Sequence, residues 1–162
     1  MSIGRVGASS IFFALIFPLA AFAEGVTMKI SYNEIHDRIL PQAELTTTAV
    51  QLDVRLNADG SVQQNEARVS GSASGGRSRT MKLGGGQGHA WKVAGSHELI
   101  NVVDYISYRR AILVTVHDRS CTAQVDYKLK PGFNDYRYHR LKNGAEAVAR
   151  SVRVNGLTCS IQ

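Results

Sequence analysis

The amino-acid sequence predicts an all-β domain: a single antiparallel β-sandwich or barrel of about eight short strands, with at most one short helix and one disulfide. Three observations predict it. Apolar residues recur at every second position through most of the chain, turn residues interrupt them at short intervals, and Cys121 and Cys159 are the only two cysteines. A length of 162 residues suits one domain, and 44% hydrophobic with 20% charged residues excludes a disordered or collagen-like chain.

The first 23 residues read as a secretory signal peptide. Arg5 is their only charge, residues 11–22 (IFFALIFPLAAF) are apolar, and Ala21-Phe22-Ala23 supplies small residues at both positions that a signal peptidase reads. The run is shorter than the roughly 20 residues of a membrane-spanning helix. Residues 24–162 are then a single β-domain, expected to be periplasmic or secreted and to carry no transmembrane segment after cleavage. Export places both cysteines in an oxidising compartment, where an even count points to one structural bridge.

Strands are expected over 26–32, 80–83, 90–93 and 98–105. Val50, Leu52, Val54 and Leu56 alternate with polar residues, Asn57-Ala58-Asp59-Gly60 turns the chain, and 61–69 returns. Ile112, Val114 and Val116 form the next strong alternation. After Asp118-Arg119-Ser120, one face carries Cys121, Ala123, Val125, Tyr127 and Leu129. Val152 and Val154 precede Asn155-Gly156, which reads as a two-residue hairpin, with Leu157, Cys159 and Ile161 beyond it. Between Ser31 and Pro41 two readings stand. Ser31-x-x-Glu34 matches a capping box, with Ile35 and Ile39 one turn apart, and an irregular strand fits equally well. A single helical turn also fits 145–149. Residues 70–88 hold seven glycines and read as two mobile loops around a short strand near Met81.

No motif for catalysis stands out, and no catalytic residue, metal ligand set or cofactor is expected. Gly71-x-x-x-x-Gly76-Arg77-Ser78 is close to a phosphate-cradling loop. It has Arg in place of Lys, however, and a strand-like alternation in place of the helix that such a loop opens. His36, His89, His97, His117 and His139 show no metal-binding spacing, and no nucleophile elbow is present.

Charge is the more informative signal. Residues 105–142 hold eight basic and three acidic side chains, whereas the rest of the mature chain is balanced. The same segment holds six of the eight mature aromatics. Its densest part, 128–142, carries the candidate ligand-binding set: Lys128, Lys130, Phe133, Tyr136, Arg137, Tyr138, Arg140 and Lys142. Basic groups interleaved with aromatic rings suit an anionic polymer, a glycan or an envelope surface. No specific nucleic-acid motif accompanies them.

The signal peptide, Ile30-Ser31-Tyr32-Asn33-Glu34 with Arg38, the Gly/Ser-rich middle, Arg109-Arg110-Ala111-Ile112-Leu113-Val114 and Ser120-Cys121-Thr122-Ala123 together resemble a class of small exported bacterial proteins of uncharacterised function. The resemblance covers about half of the mature chain. It implies location and fold class, and no activity comes with it.

The leading expectation is a non-enzymatic exported module that binds an anionic or glycan envelope ligand through 128–142. One alternative is a small extracytoplasmic hydrolase whose site is assembled from separate strands. Another is a protein–protein module such as an inhibitor of a cell-wall enzyme, although a net charge of +5 gives no electrostatic steering toward basic lytic enzymes.

Overall fold

The structure is a computed structural model and describes residues 25–58, 61–71, 78–82, 91–95, 97–141 and 143–162. The expected signal peptide lies outside the described residues, as do most of the two glycine-rich loops and Lys142.

Among the described residues ten strands follow one another: β1 (Val26–Leu40), β2 (Glu44–Leu56), β3 (Val62–Gly71), β4 (Ser78–Lys82), β5 (Trp91–Gly95), β6 (Glu98–Asp104), β7 (Tyr108–His117), β8 (Ser120–Leu129), β9 (Tyr136–Arg140) and β10 (Glu146–Ile161). They form two antiparallel sheets, one of six strands ordered β4-β3-β2-β1-β10-β9 and one of four ordered β5-β6-β7-β8. The sequence is therefore a sandwich and not a closed barrel. Strand number exceeds the expected eight, and β1, β2 and β10 are long, at 15, 13 and 16 residues.

Period-2 alternation builds the core. Met28 and Ile30 of β1 and Leu52, Val54 and Leu56 of β2 face Leu99 of β6 and Ile112, Val114 and Val116 of β7. Cys121, Ala123 and Val125 of β8 and Val154, Leu157, Cys159 and Ile161 of β10 pack against them. Complete burial of each large aliphatic is worth about 1.5–3 kcal/mol, which fixes the register of every strand that contributes one. The Cys121–Cys159 bridge joins the start of β8 to the end of β10, and so ties one sheet to the other.

Residues 31–39 form strand, not helix, and pair on one side with β2 and on the other with β10. The alternative of a helical turn at 145–149 also resolves as strand, at the start of β10. Asn155-Gly156 does not make a hairpin. It lies inside β10, where Gly156 and Leu157 together oppose Tyr32, between the pairs Ser31↔Thr158 and Asn33↔Asn155. Gly156 has φ +63, so the glycine that a two-residue turn requires serves here as the first residue of a bulge. Turn chemistry alone does not distinguish the two, because both need the same left-handed backbone.

The register places the 40–44 turn and the connections 105–107, 130–135 and 141–145 at one end of the sandwich. The turn between β7 and β8 and the Thr27–Gln162 pairing lie at the other end, beside the disulfide.

Two outcomes are expected. Replacing both cysteines by Ser removes closure of a loop with sequence separation 38, and should lower stability in urea by about 4 kcal/mol; an unchanged midpoint would show that the bridge contributes nothing. Gly156→Ala forces an L side chain into the left-handed region and should cost about 1–2 kcal/mol. A Cβ there meets only Asn33 Nδ2 at 3.7 Å, so the loss is conformational and Gly156→Asn should recover part of it.

Candidate functional site

On the inner face of β1 the apolar row Met28, Ile30 continues as Tyr32, Glu34, His36 and Arg38. The core thus changes character along its length, apolar near the disulfide and polar toward the end that carries the 40–44 turn. Glu34 is the centre of the polar part. Its Oε2 accepts from His36 Nε2 at 3.2 Å and its Oε1 from Tyr32 at 3.5 Å. Tyr127 of the opposite sheet donates to the same Oε1. Arg110 Nη1 of β7 stands 3.9 Å from Glu34 Oε1 and donates to the Tyr32 hydroxyl at 3.4 Å. Because a carboxylate only accepts, the His36 proton sits on Nε2. Nδ1 of His36 and Nε of Arg110 are buried without a partner among the described residues.

Aromatic rings enclose this cluster. His36 stacks on Tyr138 of β9 at 4.1 Å between centroids. Tyr108 packs on Tyr105 at 4.3 Å and on Tyr127 and Tyr136 at 5.7 Å each. His36 is 2% exposed, Arg110 6% and Glu34 13%. Burial pushes the Glu34 carboxyl upward, but the hydrogen bonds from His36 and Tyr127 and the charge of Arg110 outweigh it, so its pKa lies below the ordinary carboxylate range. Burial drives the Tyr127 and Tyr108 phenols well above their usual range, and moves Tyr32 up to about 12. All three stay neutral at physiological pH, so Tyr32 and Tyr127 can donate to Glu34. The arrangement is an inter-sheet clamp with its acid on β1, a donor on β8 and a counter-charge on β7.

The sequence-derived basic and aromatic set divides between two faces. Tyr136 and Tyr138 alternate with Arg137 and His139 on β9, so both rings turn inward, Tyr136 against Tyr108 and Tyr138 against His36. Phe133 is half-buried under the Arg137 guanidinium, 5.8 Å from its centroid. Lys128, Arg137 and Arg140 are exposed. Arg137 Nε stands 3.8 Å from Glu146 Oε2 and Lys130 Nζ 3.5 Å from Asp104 Oδ1, where Arg109 also bonds at 3.0 Å and holds Asp104 below its usual pKa. Lys128 and Arg140 carry no ion pair among the described residues. Lys142 lies outside them.

Ser107 holds this end together: its oxygen accepts from the Arg137 backbone N–H at 2.5 Å, and its carbonyl accepts from Lys130 at 2.8 Å. Large apolar side chains are exposed beside the basic ones. Ile106 is 64% exposed, Leu45 65% and Leu40 51%. Among the described residues no group of three His, Cys, Asp or Glu side chains is placed to hold a metal, and no helix is long and apolar enough to cross a membrane.

Sequence reasoning did not find the Glu34 clamp. The available signal was a polar row, Tyr32, Glu34, His36 and Arg38, in phase with the apolar pair Met28 and Ile30. That phase puts polar side chains on a buried face.

The low pKa of Glu34 sets a sign for acid unfolding. Its contribution is complete above the ordinary value of 4.5 and is lost as pH falls through the lower folded value. Glu34→Gln leaves Arg110 buried without its counter-charge and should cost roughly 3 kcal/mol at pH 7. In urea titrations from pH 7 to pH 3, the wild-type chain should lose stability in the acid window and the variant should show a shallower dependence there. Parallel curves would exclude Glu34 as the source.

No protein-family model matches the chain, and no curated protein or solved structure matches it.

Proposed function

We propose that the chain is an exported, non-enzymatic module that engages an anionic lipid surface of the cell envelope through the end of the sandwich that carries the 40–44, 105–107 and 130–135 connections. The observation that carries this reading is the company kept by the basic side chains. Ile106, Leu40 and Leu45 project at the same end as Lys128, Arg137 and Arg140, and the connection that holds Ile106 is tied through Ser107 to the start of β9, where Arg137 lies. Aliphatic tips beside cations suit the boundary between headgroups and acyl chains, where burial and attraction to anionic lipid add together. A stacking glycan site is less well supported, because the Tyr136 and Tyr138 rings face the interior. The apolar run at 11–22 and the paired cysteines support an envelope or extracellular location.

Co-sedimentation with vesicles tests this directly. The mature chain should pellet with phosphatidylglycerol-containing vesicles and remain in solution with phosphatidylcholine alone. Each basic residue replaced by Ser among Lys128, Arg137 and Arg140 should lower partitioning by about fivefold. Ile106→Ser should lower it without changing its salt dependence. Equal binding to both vesicle types, or unchanged binding by correctly folded variants, would overturn the reading.

A further inference from the structure

The outer face of the six-stranded sheet contains a hollow of about 290 Å³, away from the loop end and independent of it. Its floor exists because short residues occupy the outward positions of neighbouring strands: Ala49 on β2, and Gly156 at the β10 bulge. Polar side chains surround the floor. Ser31 and Asn33 come from β1, Gln51 from β2, and Arg68 and Ser70 from β3, with Gln51 directly opposite Arg68 across the β2–β3 ladder.

Several of these groups are already held in place. Ser31 Oγ bonds Thr158 Oγ1 at 2.7 Å, and Gln51 Nε2 donates to Asp53 Oδ1 at 3.2 Å, which commits its amide N–H and leaves its carbonyl oxygen toward a ligand. Arg68, like Arg140, has no ion pair among the described residues, so its guanidinium is not committed to a carboxylate of the chain. Among the described residues no acidic side chain lines the hollow.

We infer that this hollow binds a small carboxylated polyol, the chemical class of a single uronic-acid unit. The guanidinium offers a planar pair of donors matched to a carboxylate, and the surrounding amides and hydroxyls both donate to and accept from sugar hydroxyls. The volume sits at the lower end of the roughly 300–1,000 Å³ of small-molecule sites, which selects one ring and not an extended chain segment. Tyr32 also borders the hollow, but its ring is buried on the inner face, so no aromatic platform is offered among the described residues and recognition rests on the carboxylate and the hydroxyls together.

The experiment is an NMR titration of the mature chain with sodium glucuronate, glucose and sodium acetate in parallel, and with a glucuronate-containing oligosaccharide to separate a free from a polymer-borne unit. Glucuronate should shift the amide signals of Ser31, Asn33, Gln51 and Arg68, and should bind at least about tenfold more tightly than glucose or acetate. Arg68→Gln should reduce affinity for glucuronate by about tenfold or more while leaving the spectrum of the core unchanged. Ala49→Leu fills the hollow but keeps every polar group, and should abolish the shifts. No shift with glucuronate or its oligosaccharide, equal affinity for acetate, or binding that survives both substitutions in folded protein would overturn the inference. Vesicle binding should be unchanged in both variants, so the two sites fail or stand separately.

Discussion

A single carboxylate holds the two sheets in register at the end away from the disulfide. Glu34 lies between β1 and the β7–β8 hairpin, and its partners are Arg110 and Tyr127 from the opposite sheet, the latter 93 positions away along the chain, and Tyr32 and His36, each two positions away on the same strand. A charge in that position is costly unless every lone pair is met. The surrounding structure meets them: Tyr127 and Tyr32 donate, His36 donates, and Arg110 supplies the opposite charge. The neighbouring rings follow from this arrangement. Tyr108, Tyr136 and Tyr138 exclude water from the cluster while offering flat surfaces that need few hydrogen bonds of their own. The directional bonds to Glu34 allow only one alignment.

The two ends of the sandwich are therefore fixed by different means. Near Cys121 and Cys159 the sheets are joined covalently over an apolar floor. At the other end they are joined by charge and hydrogen bonds, which respond to pH. That end also carries Leu40, Leu45 and Ile106, whereas the exposed Val93 lies away from it on β5, and it carries the excess cations. Most of its surface charge is locally neutralised, by Asp104 against Arg109 and Lys130 and by Glu146 against Arg137. What remains is a sparse positive field around Lys128 and Arg140, weaker than the composition of the segment suggests.

Much of the fold was legible because burial follows a period of two. The pairing Ile112↔Val125 and Val114↔Ala123, the inward row from Cys121 to Leu129 and the bridge itself all follow from alternation and cysteine count. The β1 strand was ambiguous for a physical reason: Tyr32, Glu34 and His36 are polar, and their burial makes sense only beside Arg110 and Tyr127, which local sequence cannot supply. The same alternation dismantled the expected stacking surface. Tyr136 and Tyr138 sit next to arginines in sequence and on the opposite face from them in the sheet. The polar hollow was hidden because its residues come from four strands, and only strand order brings Asn33, Gln51, Arg68 and Gly156 together.

The position of β10 has a kinetic consequence. The first strand of the described chain is central in its sheet, and its inner neighbour is the last, with Met28 opposite Ile161. β1 and β2 can zip as a local hairpin, but the sheet keeps an open edge at β1 until the final strand arrives. The high contact order of that closure predicts slow folding compared with a meander of the same length. The larger sheet remains unfinished until β10 is free to pair. Strand β10 acts as the keystone: it completes the larger sheet and carries Cys159 to Cys121.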